Sequence, residues 1–367
     1  MLLSHKKWVI GIYTIISFLI ISCEPKQYIV SEVTEVDVFA MPEIELKGIA
    51  TNLDIMGVRE IGIIDDYFVA ATTNPAGQIR IFNKNTFQEL AILCPEGRAR
   101  ADLMHPYLQP LQLVKKDSIP TLLIIDNNSV TKLINLKESI TAGYAVVDTI
   151  IRAICDPVNG YSLYVGNDKW LDYHGVYYDD PRDNICTVPT FIVRNKNGKQ
   201  EIPLFGDIKK MEATPWTNAY YTGQALARPS GGQVVFVMYV LDYFNIFNTD
   251  SMTVKTIHNS NSVTIDQPTG INDVRNSPIC YTSVSATDNL ILTTTWDYSY
   301  NQNADIPISK DYVRIWNWEG DLVARFYMDH CLTSVAYDEE NMILYGLDSG
   351  DEKIYSYDIS PYLSIDK

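Results

Sequence analysis

Two short stretches carry the densest mixture of rings and acids. The first, GNDKWLDYHGVYYDDPRDN over 166–184, sets Trp170, Tyr173, Tyr177 and Tyr178 among Asp172, Asp179, Asp180 and Asp183. The second, TTTWDYSYNQNADIP over 293–307, adds Trp296, Tyr298 and Tyr300. Aromatic faces stack on the apolar faces of sugar rings while carboxylates accept hydroxyl protons, so these residue types suit a glycan. The same acids offer the oxygen ligands that calcium prefers, and a merely solvated acidic loop needs no ligand. Both stretches are expected as insertions between strands, and emergence on one face would make them a single surface.

Arg59, Arg152, Arg228 and Arg275 stand at or near the expected starts of innermost strands, in a chain that is otherwise acidic. Converging on an axis, they would form a cationic cup for an anion; paired with local acids, they would be structural. Glu60, Asp156, Asn272 and Asp273 occupy comparable places and would be the oxygen ligands of an axial divalent ion in a metal-dependent hydrolase or lyase. The sequence contains no HExxH, GxSxG, GxxxxGK[ST] or GxGxxG. His105, His174, His258 and His330 are scattered, with no pair at metal-ligand spacing. The reading that needs no hidden motif is a non-enzymatic binding or scaffold protein for a glycan, a peptide or an envelope protein.

The N-terminus says where such a protein works. His5, Lys6 and Lys7 precede an apolar run, Trp8 to Ile21, of 14 residues. A bilayer-crossing helix needs roughly 20, so the run reads as a signal peptide. Its composition breaks at Cys23, preceded by the small Ser22 and followed by polar EPKQ. The tail LIISC resembles a bacterial lipobox, which implies cleavage before Cys23 and acylation of its thiol. Two acyl chains hold a protein on a lipid bilayer where one does not. The expected location is the cell envelope, lipid-anchored at the outer membrane, with either face open.

Without residues 1–22, which hold two lysines and no acid, the formal balance moves from −16 to −18. Such a surface repels phosphate backbones and argues against nucleic acid. Cys94, Cys155, Cys186, Cys280 and Cys331 remain after Cys23, with no CxxC pair. Either a Cys155–Cys186 bridge or buried free thiols fit this pattern.

What positions all these residues is a repeat. Six times a β-type run closes on Asn or Asp before a turn: QIRIFNKNT, VTKLINLKE, TFIVRNKNG, YFNIFNTDS, YVRIWNWEG and KIYSYDIS. The closing residues are Asn83, Asn135, Asn195, Asn248, Asn317 and Asp358, spaced by 52, 60, 53, 69 and 41 residues. That spacing suits a four-stranded module, and Asn or Asp fits because it bonds to its own turn. A second echo, YTSVSATDNLILTTT and LTSVAYDEENMILYGL, marks the first two strands of successive modules. No convincing helix appears.

The fold class expected is all-β, a six-bladed propeller. Its last blade has room for three strands between Leu332 and Ser360, so Glu43 to Ala50 is expected to supply the fourth and close the ring. The divisions are a signal peptide at 1–22, a lipidated tether at 23–42, the propeller at 43–360 and a tail at 361–367, in a monomer. With its lipobox start and Φ-x-Φ-aromatic-Asn/Asp turns, the chain resembles the TolB-like six-bladed propeller lipoproteins of the Bacteroidetes. That resemblance implies an anchored propeller and leaves catalysis, cofactor and partner open.

Overall fold

In the computed structural model the described residues are 29–126, 130–152, 160–175, 177–180, 185–206, 210–212, 221–262, 264–265, 280–296, 311–348 and 350–363. They begin with three short strands, β1 (Val33–Val36), β2 (Glu43–Leu46) and β3 (Ile49–Ala50). Blade one follows as β4 (Val58–Ile64), β5 (Tyr67–Thr72), β6 (Ile79–Asn83) and β7 (Glu89–Leu93). Blade two holds β8 (Pro106–Lys116), β9 (Ile119–Asp126), β10 (Val130–Asn135), the helix α1 (Leu136–Ala142) and β11 (Val146–Arg152).

Blade three comprises β12 (Gly160–Tyr164), β13 (Trp170–His174), β16 (Thr190–Asn195) and β17 (Gly198–Glu201). A separate three-stranded sheet is made of β14 (Tyr177–Asp180), β15 (Ile185–Thr187) and β18 (Lys210–Glu212). Blade four is β19 (Gly223–Ala227), β20 (Gln233–Met238), β21 (Tyr243–Asn248) and β22 (Thr253–Asn259). Blade five is β23 (Ser283–Ala286), β24 (Leu290–Trp296), β25 (Asp311–Asn317) and β26 (Leu322–Met328). Blade six is β27 (Leu332–Asp338), β28 (Ile343–Asp348) and β29 (Ile354–Asp358), completed by β3. The architecture is the expected all-β propeller of six blades.

The repeat works through its closing residue. Asn83 Oδ1 accepts the backbone N–H groups of Asn85 and Thr86, both at 3.0 Å. Asn248 does the same for Asp250 at 3.0 Å and Ser251 at 2.9 Å. Asn195 takes Asn197 at 2.8 Å, Asn317 takes Asp321 at 2.7 Å and Asp358 takes Ser360 at 2.9 Å. Asn135 uses the same oxygen to cap α1, accepting from Glu138 N at 3.0 Å. This short helix was not expected from the sequence; the cap makes a turn site into a helix start.

Both faces of a blade are buried, which is why the strands read as apolar runs. Along β20, Val234, Phe236 and Met238 pack into the seam with blade three, while Val235 and Val237 pack into the seam with blade five. The two-residue period of a strand thus divides one sequence between two cores. Ring pairs fill the seams: Phe191 lies 4.4 Å from Phe247 between centroids, and Phe244 stacks on Trp316 at 4.9 Å.

The N-terminal strands lash three successive blades from outside. β1 runs parallel to β22 on blade four, β2 parallel to β26 on blade five, and β3 antiparallel to β29 on blade six. Ring closure therefore falls to Ile49 and Ala50, opposite Ser356 and Tyr355. Glu43–Leu46, expected in the same closing strand, instead belongs to blade five, where Leu46 is buried beside Phe326 and Met328. The chain crosses between blades at Gly48, whose N–H bonds to Asp329 at 3.0 Å. A Cβ there would stand 2.8 Å from the Tyr357 ring, so the crossing needs glycine. Val33–Val36 falls within the stretch expected as a tether and is held by His258, which bonds Glu35 at 2.8 Å and Ser262 at 2.9 Å.

Cys94 and Cys280 are buried, and burial pushes the Cys94 thiol up to about 12. Cys155 and the Cys186 side chain lie outside the described residues, as does Cys23. Among the described residues no helix is long and apolar enough to cross a membrane.

Candidate functional site at the propeller axis

Each of the six innermost strands carries a polar side chain in the axial group, within its first three residues except in β8, where it is the seventh. Glu60 comes from β4, Gln112 from β8, Tyr161 from β12, Gln224 from β19, Ser283 from β23 and Ser334 from β27. The axis is packed rather than open, because β8 leans across it. Gln112 Nε2 donates to the Ala225 carbonyl at 2.8 Å, and Lys115 N donates to the Pro229 carbonyl at 2.7 Å, so blade two bonds directly to blade four. Gly62 makes room on the other side, since a Cβ there would meet Leu113 at 2.7 Å. The Tyr161 hydroxyl accepts from Ala225 N at 3.0 Å.

Glu60 is 2% exposed. Ser334 Oγ donates to its Oε1 at 2.8 Å and Ser283 Oγ to the same oxygen at 3.4 Å. Burial raises its carboxyl to about 8, with polar contacts from Ser334, Gln109 and Ser283 offsetting part of the rise. At neutral pH Glu60 is therefore mostly a neutral acid. Oε1 takes both serine contacts, while Oε2 is a buried atom with no hydrogen bond to a described residue. Gln224 Oε1 is likewise buried without such a bond.

Tyr107, at the start of β8, is 43% exposed at this leading end. Its ring stacks on Tyr161 at 6.1 Å, and Tyr161 packs on Tyr173 at 5.0 Å. Its hydroxyl meets Tyr239, which in turn meets Gln224. An exposed ring thus stands over a buried lining of neutral donors and acceptors, an arrangement that orders hydroxyl groups without charge.

The residues singled out from the sequence scatter. Trp170 and Tyr173 belong to β13, the second strand of blade three, and not to an insertion. Trp170 is buried edge-on to Tyr164 at 5.3 Å with the Arg194 guanidinium 5.6 Å from its ring centroid. Tyr173 lies in the core between Tyr161, Phe191 and Phe236. The turn sits earlier, at Gly166, Asn167 and Asp168, all with positive φ, so the rings that follow alternate into the seams.

Tyr177 and Tyr178 lie on β14 and Trp296 ends β24, but their side chains fall outside the described residues. Tyr298, Tyr300, Arg275, Asp156, Asn272 and Asp273 lie wholly outside them.

The described arginines do not converge into a cup. Arg59 is exposed on β4, and Arg152 is exposed at the end of β11, on the outer edge of blade two. Arg228 lies past the far end of β19, where it bonds Gln233 at 2.7 Å and stacks over Trp318 at 5.6 Å. Among the described residues no three His, Cys, Asp or Glu side chains are grouped to hold a metal ion. His258 and His330 are packed against Tyr243 and Tyr355, and burial lowers His174.

Of the axial group, the sequence singled out Glu60 alone, as an oxygen ligand. Ser283 and Ser334 were missed although a signal marked them: they are the serines of the repeated TSV.

No protein-family description matches this chain, and no curated protein sequence matches it. Solved structures share its fold. One is a member of the DUF4221 family from Bacteroides vulgatus, at 11% identity over 85% of this chain and 97% of the other, with a TM-score of 0.55. Another, from Bacteroides fragilis, has 11% identity over 89% of this chain and 97% of the other, with a TM-score of 0.50.

Proposed function

We propose that the chain is a non-enzymatic binding protein of the cell envelope, held on a lipid bilayer through an acylated Cys23, which takes a polyhydroxylated ligand, a glycan, at the leading end of its axis. The observation that carries this reading is the exposed Tyr107 ring stacked on buried Tyr161 above a lining drawn from all six blades. Sugars combine apolar ring faces with many hydroxyls, and a surface of tyrosine, amide and neutral acid matches both without a compensating charge. The sequence feature that supports anchoring is the LIISC boundary, in keeping with the TolB-like lipoproteins it resembles.

Both halves of the reading have a direct test. Detergent-phase partitioning of the full chain against Cys23→Ala is expected to show the native protein in the detergent phase and the variant in the aqueous phase. Full-length protein immobilised from detergent is expected to retain glycans from a panel, and Tyr107→Ala to lose them. Retention that ignores Tyr107 would move the site elsewhere.

A further inference from the structure

The opposite end of the axis, where the innermost strands finish, carries a cavity of about 180 Å³. Its wall is built by the ends of β4, β8 and β27 and the turns after β4, β19, β23 and β27, with Lys84 reaching in from blade one. Lys84 bonds Asp338 at 3.0 Å and Glu340 at 2.8 Å, and Lys115 bonds Asp65 at 3.3 Å and Asp288 at 3.1 Å. Each lysine is thus already shared between two carboxylates. Glu339 is a fifth acid on the same wall, held by Thr287 Oγ1 and by Asn289 Nδ2 at 3.0 Å. The cavity is therefore lined by an excess of negative charge.

A second and independent feature is Tyr337. It lines the cavity, is 2% exposed, and its hydroxyl is buried with no hydrogen-bond partner among the described residues. Burial, then the Glu339 and Asp338 carboxylates, push that hydroxyl up to about 12, which puts the phenol oxygen within the field of the acids on the wall. A buried, unused phenol is destabilising unless something bonds to it. A group with several N–H donors and a positive charge would bond the phenol oxygen and neutralise part of the excess. Calcium fits less well, since it needs six to eight oxygens and the lysines already occupy four of the carboxylates.

We propose that this trailing end is a second binding site, for an organic cation bearing a primary ammonium or guanidinium group. The proposal is independent of the glycan reading, because it uses none of the residues at the leading end.

The test is equilibrium binding of putrescine and agmatine to the full chain in detergent, with 1,4-butanediol and calcium as comparisons. Saturable binding of an amine, weakened by salt and absent for the diol, is expected. Glu339→Gln is expected to weaken it about tenfold or more. Tyr337→Phe is expected to weaken it severalfold while leaving the melting temperature equal or higher, because the lost hydroxyl has no partner among the described residues. That variant keeps the test valid if Glu339→Gln folds poorly. An N-acetyl arginine amide peptide separates sources: tighter binding than agmatine points to a basic side chain of a polypeptide, and weaker binding to a free amine. No saturable amine binding up to roughly 10 mM, calcium binding in its place, or indifference to both substitutions would overturn the proposal.

Discussion

Ser334 Oγ on blade six donates to Glu60 Oε1 on blade one at 2.8 Å, and the same hydroxyl accepts Ile61 N at 3.1 Å. One serine therefore bridges the seam at which the two ends of the repeat array meet. It also holds a carboxyl that burial keeps protonated at neutral pH.

That proton makes stability depend on pH with a defined sign. Below about pH 4.5 the carboxyl is protonated in the folded and the unfolded chain alike; between there and about 8 only the folded chain keeps the proton. The unfolded state binds fewer protons in that window, so the contribution of Glu60 falls as pH rises and is lost through about pH 8. The slope is up to about 1.4 kcal/mol per pH unit. Denaturant titrations of the native chain and Glu60→Gln across this window are expected to converge or cross in favour of the variant as pH rises. A difference that stays constant would contradict the neutral carboxyl.

Lys84 ties blade one to blade six with both of its ends hidden: it is 5% exposed and Asp338 is 1% exposed. Lys84→Met is expected to strand a buried carboxylate and to cost about 3–5 kcal/mol in equilibrium unfolding. Adding Asp338→Leu is expected to restore much of that loss, since the desolvated charge goes with it. A single variant as stable as the native chain would mean that the Asn341 side chain and the Glu340 and Asn341 N–H groups, which also bond Asp338, suffice without the lysine.

The N-terminal lash makes stability depend on residues remote in sequence from the blades they serve. Leu46 sits 5% exposed against blade five, in the cluster of Phe326 and Tyr357. Leu46→Ala is expected to cost about 2–5 kcal/mol, a core-like loss from a short edge strand. A change within about 0.5 kcal/mol, typical of surface positions, would show that the lash adds little.

The sequence made the blades legible and the site mostly not, for one physical reason. The turn asparagines act locally, each bonding to N–H groups two to four residues on, so Asn83 or Asn248 announces its role in its own neighbourhood. The axial residues act across the whole array: Glu60 meets serines 223 and 274 positions away. Apart from Glu60, which was singled out as an oxygen ligand, only the TSV echo hinted at them, by marking equivalent places on blades five and six.

Trp170 and Tyr173 misled because rings beside acids look alike on a loop and on a buried strand. The turn at Gly166–Asp168 decides between those cases. β2 was misplaced because Glu43–Leu46 and Ile49–Ala50 read as one strand until Gly48 turns the chain onto the next blade.

The most direct measurement is the affinity of the full-length chain, in detergent, for glycans that it retains, compared with Tyr107→Ala and with Tyr107→Phe. The account predicts that alanine weakens binding by about tenfold or more, consistent with about 1–3 kcal/mol for a lost stacking ring, while phenylalanine keeps most of it. Equal affinity in all three proteins, or no glycan retained by the native chain, would contradict the assignment of the leading end as the site.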